Sequence, residues 1–256
     1  MILARRLYSF WCYLWFLGVF LILFPFFVLF LQKPAWYRKA HYLNRLWGKI
    51  FFPACFMPVH TEFRGRIDPE APYVFCANHA SYLDIAAMGV VLRNFYAFIG
   101  KEAIAKVPLF GYMFRRLHIP VNRESRASGY EVVQRATRLL QGRRSIVIFP
   151  EGGIRSKNPP RLASFKDGAF KMAIQAQVPI VPISFPYNWM ILPDDNKLLF
   201  RRHAIRAVVH EPIPTTGLTM EDLESLKKRT FDVIDRELHR YFPEGADQLA
   251  VSGKSS

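Results

Sequence analysis

The fold class predicted by this sequence is α/β: a mixed, largely parallel sheet flanked by helices, preceded by an N-terminal membrane helix or helical hairpin. Three observations predict it. A long run near the N-terminus, Phe10 to Leu31, carries no charged residue. After Gly65, short β-rich runs alternate with stretches of helical periodicity, the pattern of a layered α/β domain. The hydrophobic content, 51% over 256 residues, suits one full core and an appendage rather than two large domains.

The apolar run of twenty-two residues, at about 1.5 Å per residue, spans roughly the hydrocarbon thickness of a bilayer. Arg5 and Arg6 precede it as they would a signal peptide, but the run exceeds a usual signal core and no small-residue cleavage site follows, so it is expected to be a retained anchor. Pro25 lies inside it, which leaves a single span and a two-helix hairpin within one leaflet both open. Basic residues flank both sides: Arg5 and Arg6 before, then Lys33, Arg38 and Lys39 after, a symmetry that favours the hairpin. Next, Leu43, Leu46, Trp47, Ile50 and Phe51 recur at helical spacing among Arg38, Lys39, Arg45 and Lys49. This predicts a basic amphipathic helix over 36–52, packed on the domain's own core or lying at a membrane interface.

In the globular part, strands are expected near His60–Arg64, Tyr73–Ala77, Tyr96–Ile99, His118–Val121, Ser145–Phe149, Ile180–Phe185 and Ala204–His210. Helices are expected over Tyr82–Leu92, Ser128–Gln141, Asp167–Gln175 and Thr219–Tyr241. The chain thus divides into membrane-anchoring helices over 1–57, an α/β domain over 58–242 and a small, polar tail over 243–256 that is expected to be disordered.

The three cysteines, Cys12, Cys55 and Cys76, show no CxxC or Cys/His spacing, so neither a disulfide framework nor a zinc site is indicated. Thirty-five Lys and Arg against twenty Asp and Glu give a net charge of +15. Between Arg93 and Lys171 there are sixteen basic and five acidic residues, so most of the surplus lies in the middle third. An anionic partner is implied: nucleic acid, anionic lipid and a phosphorylated substrate all fit the charge alone.

Three segments carry chemistry. The run VFCANHASYLD ends a strand and opens a helix, placing Asn78 and His79 on the connecting loop. His79 and Asp84 are five apart; on one regular helix their side chains would diverge, so they meet only if His79 sits before the helix and reaches back over its first turn. Asp84 also has a purely structural reading, because Ser81 and Asp84 form an S-x-x-D capping signature. In FPEGGIRSKNPPRLASFKDGAF, glycines allow close backbone approach and Arg155, Lys157, Arg161 and Lys166 could answer a phosphate, though a Gly-rich turn with solvated charges has the same look. The third, KEAIAKVPLFGYMFRRLHIPVNR, places Lys101 at its start and Arg123 after an apolar strand. Walker, G-x-G-x-x-G, G-x-S-x-G and HExxH motifs are missing, so nucleotide-loop, serine-hydrolase and metalloprotease mechanisms lack support.

Taken in this order, the segments resemble the glycerolipid acyltransferase family, and within it the bacterial 1-acylglycerol-3-phosphate acyltransferases. The resemblance covers about residues 60–186 and rests on four ordered blocks. NHASYLD matches N-H-x4-D; Lys101 through Pro108 with Gly111 and Arg123 match the second block; FPEGGIRS matches F-P-E-G-T-R-S; and VPIVPISF matches the hydrophobic, proline-bearing fourth. The third block departs from the pattern, since Gly153 and Ile154 stand where the family usually has a single Thr, moving Arg155 one residue further from Glu151.

The resemblance implies transfer of a fatty acyl group from acyl-CoA or acyl-carrier protein to the sn-2 hydroxyl of 1-acylglycerol 3-phosphate, giving phosphatidic acid. It implies His79 as the general base, Asp84 as the group that orients it, and Lys101, Arg123, Glu151, Gly152 and Arg155 as binding residues for the acceptor's phosphate and glycerol. Backbone N–H groups at the start of the helix after His79 are the expected donors to the tetrahedral oxyanion. The implied partners are a lysophospholipid, an acyl thioester, acyl-carrier protein and membrane lipid, with no nucleic acid, no metal and no cofactor beyond the thioester co-substrate. The implied location is the cytoplasmic face of a bacterial inner membrane. Lyso-ornithine lipid, glycerol 3-phosphate or a lipid A precursor as acceptor, and a non-enzymatic membrane protein binding anionic lipid, remain as alternatives.

Overall fold

The computed structural model describes residues 2–242 except 123, 124, 157 and 196, and of residue 126 the backbone only. The tail predicted over 243–256, like Arg123, lies outside the described residues.

The apolar run forms one unbroken helix, α1 (Ile2–Phe30), with Pro25 inside it. Proline removes one amide donor from the ladder, yet the helix continues, and Phe27 beyond it is fully buried. The chain reverses only after Leu31, where Pro34 sets the first residue of a short 3₁₀ turn, Pro34–Trp36, that leads into α2 (Tyr37–Ala54). The hairpin is therefore α1 with α2, and not two halves of the apolar run.

Aromatic packing joins the two helices. The rings of Phe16 and Phe20 lie 4.4 and 5.1 Å from that of Trp47, and Trp47 Nε1 donates to the Phe16 carbonyl at 2.9 Å. The inner face of α1, including Phe20, Leu23 and Phe27, shares one hydrophobic cluster with Phe75 and Val147 of the sheet. Its outer face presents Leu3, Leu7, Phe10, Leu14, Leu17 and Leu21 at steps of three and four residues, all exposed. An exposed apolar stripe of that extent marks an interaction surface, and α1 is long and apolar enough to cross a membrane.

Among the described residues seven strands follow: β1 (Val59–Phe63), β2 (Val74–Ala77), β3 (Tyr96–Lys101), β4 (Ile119–Val121), β5 (Ser145–Ile148), β6 (Ile180–Ser184) and β7 (Ile205–Val209). They form one sheet in the order β1-β7-β6-β2-β5-β3-β4. Five strands are parallel, while β7 pairs with β6 antiparallel and carries β1 parallel to itself. The mixed, largely parallel sheet predicted from the sequence is what is found.

Side chains alternate across the sheet with period two. Phe75 and Ala77, Tyr96 and Phe98, and Val147 face the layer of α1, α2 and α3 (Leu83–Val91). Val74 and Cys76, Ala97 and Ile99, and Ile146 face the opposite layer, into which α5 (Arg126–Gln141), α6 (Gly168–Ala176) and α8 (Leu223–Tyr241) pack. The segment after Lys101, read above only as a motif, folds as a 3₁₀ turn, Glu102–Lys106, followed by α4 (Phe110–Leu117). Gly111 is required there, since a Cβ would lie 2.7 Å from the carbonyl carbon of Ala105. A short helix, α7 (Asn188–Ile191), follows β6.

Candidate active site

Three adjacent strands, β6, β2 and β5, end on the same edge of the sheet, where open α/β folds build their sites. From β2 the chain turns through Asn78 and His79 before α3 begins. Asn78 fixes this corner to the end of β6: its Nδ2 donates to the Phe185 carbonyl at 3.0 Å, and the Phe185 amide donates to its Oδ1 at 2.7 Å.

His79 does sit before the helix and reach back over it. Its Nδ1 lies 2.9 Å from Asp84 Oδ2, with the imidazole nearly buried and Asp84 wholly so. Asp84 Oδ2 also accepts from the amides of Ala80 and Ser81, each at 2.9 Å, and its Oδ1 accepts from Asn188 Nδ2 at 2.9 Å. A buried carboxylate needs such donors to remain charged. The capping and orienting readings of Asp84 therefore hold together, because one oxygen serves both the helix start and the imidazole. The amides of Ala80 and Ser81 point at Asp84, so these two are not available to an oxyanion.

With Nδ1–H donated to Asp84, Nε2 is the nitrogen that carries the lone pair. The imidazole plane is fixed by stacking on Phe149, 4.0 Å between centroids and 17° from parallel. Imidazole, carboxylate and stacked ring together make a held base, able to take a proton from a hydroxyl brought to Nε2.

Glu151, at the end of β5, is placed differently from a ligand-binding carboxylate. It is 2% exposed, its Oε1 accepts from the His79 amide and its Oε2 from the Ala163 amide, both at 2.8 Å. Burial lifts its carboxyl above the usual range, and those two amides and the nearby imidazole pull the other way. Gly152 follows at φ +78°, and a Cβ there would meet Lys166 Cε at 2.8 Å, so only glycine suits this turn. Arg155 is exposed on the same turn, and Lys101 is exposed at the end of β3, on the same edge of the sheet as His79. Arg123 lies outside the described residues.

The structure thus brings His79, Asp84 and Glu151 together and leaves Lys101 and Arg155 as solvent-facing cations on the rim. Sequence reasoning missed Asn188, which lies 104 residues from Asp84 and carries no local motif. It also gave no role to Phe149, although that residue opens the FPEGG run. A cleft of about 380 Å³ lined by Arg64, His210, Arg229 and Arg240 opens at the opposite edge of the sheet and includes none of these residues.

The Acyltransferase family model matches residues 59–186. The chloroplastic 1-acyl-sn-glycerol-3-phosphate acyltransferase BAT2 of Brassica napus is 30% identical over 180 residues, covering 69% of this chain and 52% of that protein. The human 1-acyl-sn-glycerol-3-phosphate acyltransferase alpha is 33% identical over 204 residues, covering 76% of this chain and 70% of its own length. The chain spans about half the length of the chloroplastic relatives it matches. Among solved structures, the 1-acyl-sn-glycerophosphate (LPA) acyltransferase PlsC from Thermotoga maritima superimposes with a TM-score of 0.76 at 23% identity, over 94% of this chain and 98% of that one.

Proposed function

The chain belongs to the acyltransferase family, and from that premise we propose that it transfers a fatty acyl group from a thioester, acyl-CoA or acyl-carrier protein, to the sn-2 hydroxyl of 1-acylglycerol 3-phosphate, forming phosphatidic acid. The observation that carries the reading is the His79–Asp84 pair at 2.9 Å, stacked on Phe149 at the sheet edge. The names of the relatives support the acceptor.

In this reading His79 Nε2 takes the hydroxyl proton as the oxygen attacks the thioester carbonyl, and Asp84 stabilises the imidazolium that forms. Collapse of the tetrahedral intermediate breaks the C–S bond and makes the ester, and the thiolate leaves with the proton from His79. General-base assistance of this kind is worth about 10² to 10⁴ in rate. Lys101, Arg155 and Arg123 answer the acceptor's phosphate, and the Gly152 turn lets backbone approach its glycerol. Glu151 acts behind the site, holding the His79 backbone. The reaction calls for no cofactor beyond the two substrates.

The exposed apolar stripe on α1 supports an enzyme that stays at the membrane from which it draws its lipid. We place its domain on the cytoplasmic face of a bacterial inner membrane, where acyl thioesters are made, a reading consistent with the three unpaired cysteines.

The test is phosphatidic acid formation from 1-acyl-lysophosphatidate with palmitoyl-CoA and with palmitoyl-carrier protein, in vesicles, for the wild type and His79→Ala. Turnover in the wild type and its loss in the variant support the reading. Undiminished turnover in His79→Ala rejects the base, and wild-type turnover only with another lysolipid rejects the acceptor.

A further inference from the structure

The loop that carries His79 is stitched at three places to the segment that follows β6. Asn78 exchanges two hydrogen bonds with the Phe185 backbone, Ser81 Oγ donates to the Leu192 carbonyl at 2.8 Å, and between them Asn188 Nδ2 donates to Asp84 Oδ1 at 2.9 Å. The first two run from a side chain of the loop to backbone of the segment after β6. The third is different, because it reaches the carboxylate that holds the imidazole. We propose that Asn188 is a positioning residue for the reaction, acting on His79 through Asp84.

The chemistry singles it out. Asp84 Oδ2 takes three donors, from Ala80, Ser81 and His79, whereas Oδ1 has Asn188 as its hydrogen-bond donor. Turning the carboxylate about its Cβ–Cγ bond moves both oxygens together, so the bond to Oδ1 adds to the donors at Oδ2 in resisting that rotation, and so in holding the direction in which Oδ2 meets Nδ1 of His79. Donating Nδ2 to Asp84 also fixes the amide's orientation, and Asn188 Oδ1 is then buried with no partner. Burying an unpaired carbonyl is costly, and an apolar residue of the same shape at this wholly buried position would avoid the cost. An amide held there at the expense of its own oxygen is explained by what its nitrogen does for Asp84.

This inference rests on the reading of His79 as the base, and its test separates the two. Asn188→Leu preserves volume without a donor, and Asn188→Ala removes both. In each, kcat is expected to fall about tenfold or more, the weight of one hydrogen bond to a charged group, with the KM of both substrates within about twofold of wild type. With one donor fewer, Asp84 offers His79 a less neutralised charge, which favours imidazolium. The acid limb of kcat/KM and the ¹⁵N-imidazole signal of His79 should therefore respond at higher pH than in the wild type. A purely structural role would lower the melting temperature and leave both the limb and the titration in place. A kcat within twofold of wild type in Asn188→Leu, or a loss of activity with an unmoved titration, overturns the proposal. If the wild type does not acylate lysophosphatidate at all, the substrate reading fails, and the His79 titration in the two variants still decides for or against Asn188.

Discussion

The imidazole of His79 lies face to face with the ring of Phe149, 4.0 Å away, and Phe149 is itself stacked parallel to Phe98 at 6.3 Å. Asp84 sets the direction of one ring nitrogen, and the stack sets the plane in which the other can meet a substrate. Phe149→Leu keeps the apolar volume and removes the flat surface. Aromatic pairs are worth about 0.5–1.5 kcal/mol beyond their buried area, so kcat should fall about two- to tenfold while KM is unchanged. Steady-state kinetics would check this, and an unaltered kcat would show that the bond to Asp84 alone orients the ring.

Glu151 and Arg155 stand four residues apart in one motif but have opposite kinds of surroundings, which separates their expected behaviour. Glu151→Gln would turn an NH₂ toward the amide of either His79 or Ala163. Leaving a buried donor facing a donor costs about 1–3 kcal/mol, so the variant should melt lower and lose kcat, with little change in the acceptor KM. Arg155→Ala, on an exposed side chain, should leave the melting temperature alone and raise the acceptor KM, by about tenfold for one charge-assisted contact. Thermal melts alongside initial rates measure both, and a Glu151→Gln enzyme with wild-type stability but a high acceptor KM would return that carboxylate to the substrate.

These contrasts mark what local sequence could and could not carry. Continuous β-rich runs such as Val74–Ala77 and amphipathic stretches such as Leu223–Tyr241 are written in consecutive residues, and their elements fall where the sequence puts them. The His79–Asp84 pair was readable because five residues bridge a strand-to-helix corner. The antiparallel pairing of β7 on β6 depends on partners far apart in the chain. Helix α7 is four residues long, too short for any periodicity, yet it contributes Asn188. Likewise, no motif distinguishes a glutamate that binds glycerol from one whose oxygens hold the amides of His79 and Ala163.

His210 gives the fold a pH dependence. It is buried, with Nε2 2.9 Å from Ser184 Oγ. Burial, reinforced by Arg64 and Arg240 and opposed by Glu237 and Glu62, holds its pKa down at about 4. The unfolded chain takes up a proton near pH 6.5 while the folded one does not until about pH 4, so stability falls as pH drops through that window. The loss is on the order of 3 kcal/mol at most. His210→Gln no longer titrates, and between pH 7 and 4.5 its melting temperature should fall less than that of the wild type, by about 5 °C. His41 and His118 are depressed in the same direction and are unchanged in the variant, so the difference isolates His210. Parallel curves for the two proteins would mean that the cost of charging His210 is relieved in solution.

The two faces of α1 lead to opposite outcomes when each is removed. Phe20, Leu23 and Phe27 are part of the core that backs the sheet, and each such side chain contributes about 1.5–3 kcal/mol on burial. Their sum is comparable to the whole net stability of a domain, about 5–15 kcal/mol. A chain lacking residues 1–31 should therefore fail to fold cooperatively, although every residue named in the site is still in it. Replacing Leu7, Leu14 and Leu21 with Gln acts on the exposed stripe instead, so the fold and the melting temperature should survive while co-sedimentation with anionic vesicles weakens. Circular dichroism on both proteins, with vesicle binding on the second, makes the comparison. A truncated chain that melted like the full one would show that α1 is an appendage and that the core is complete without it.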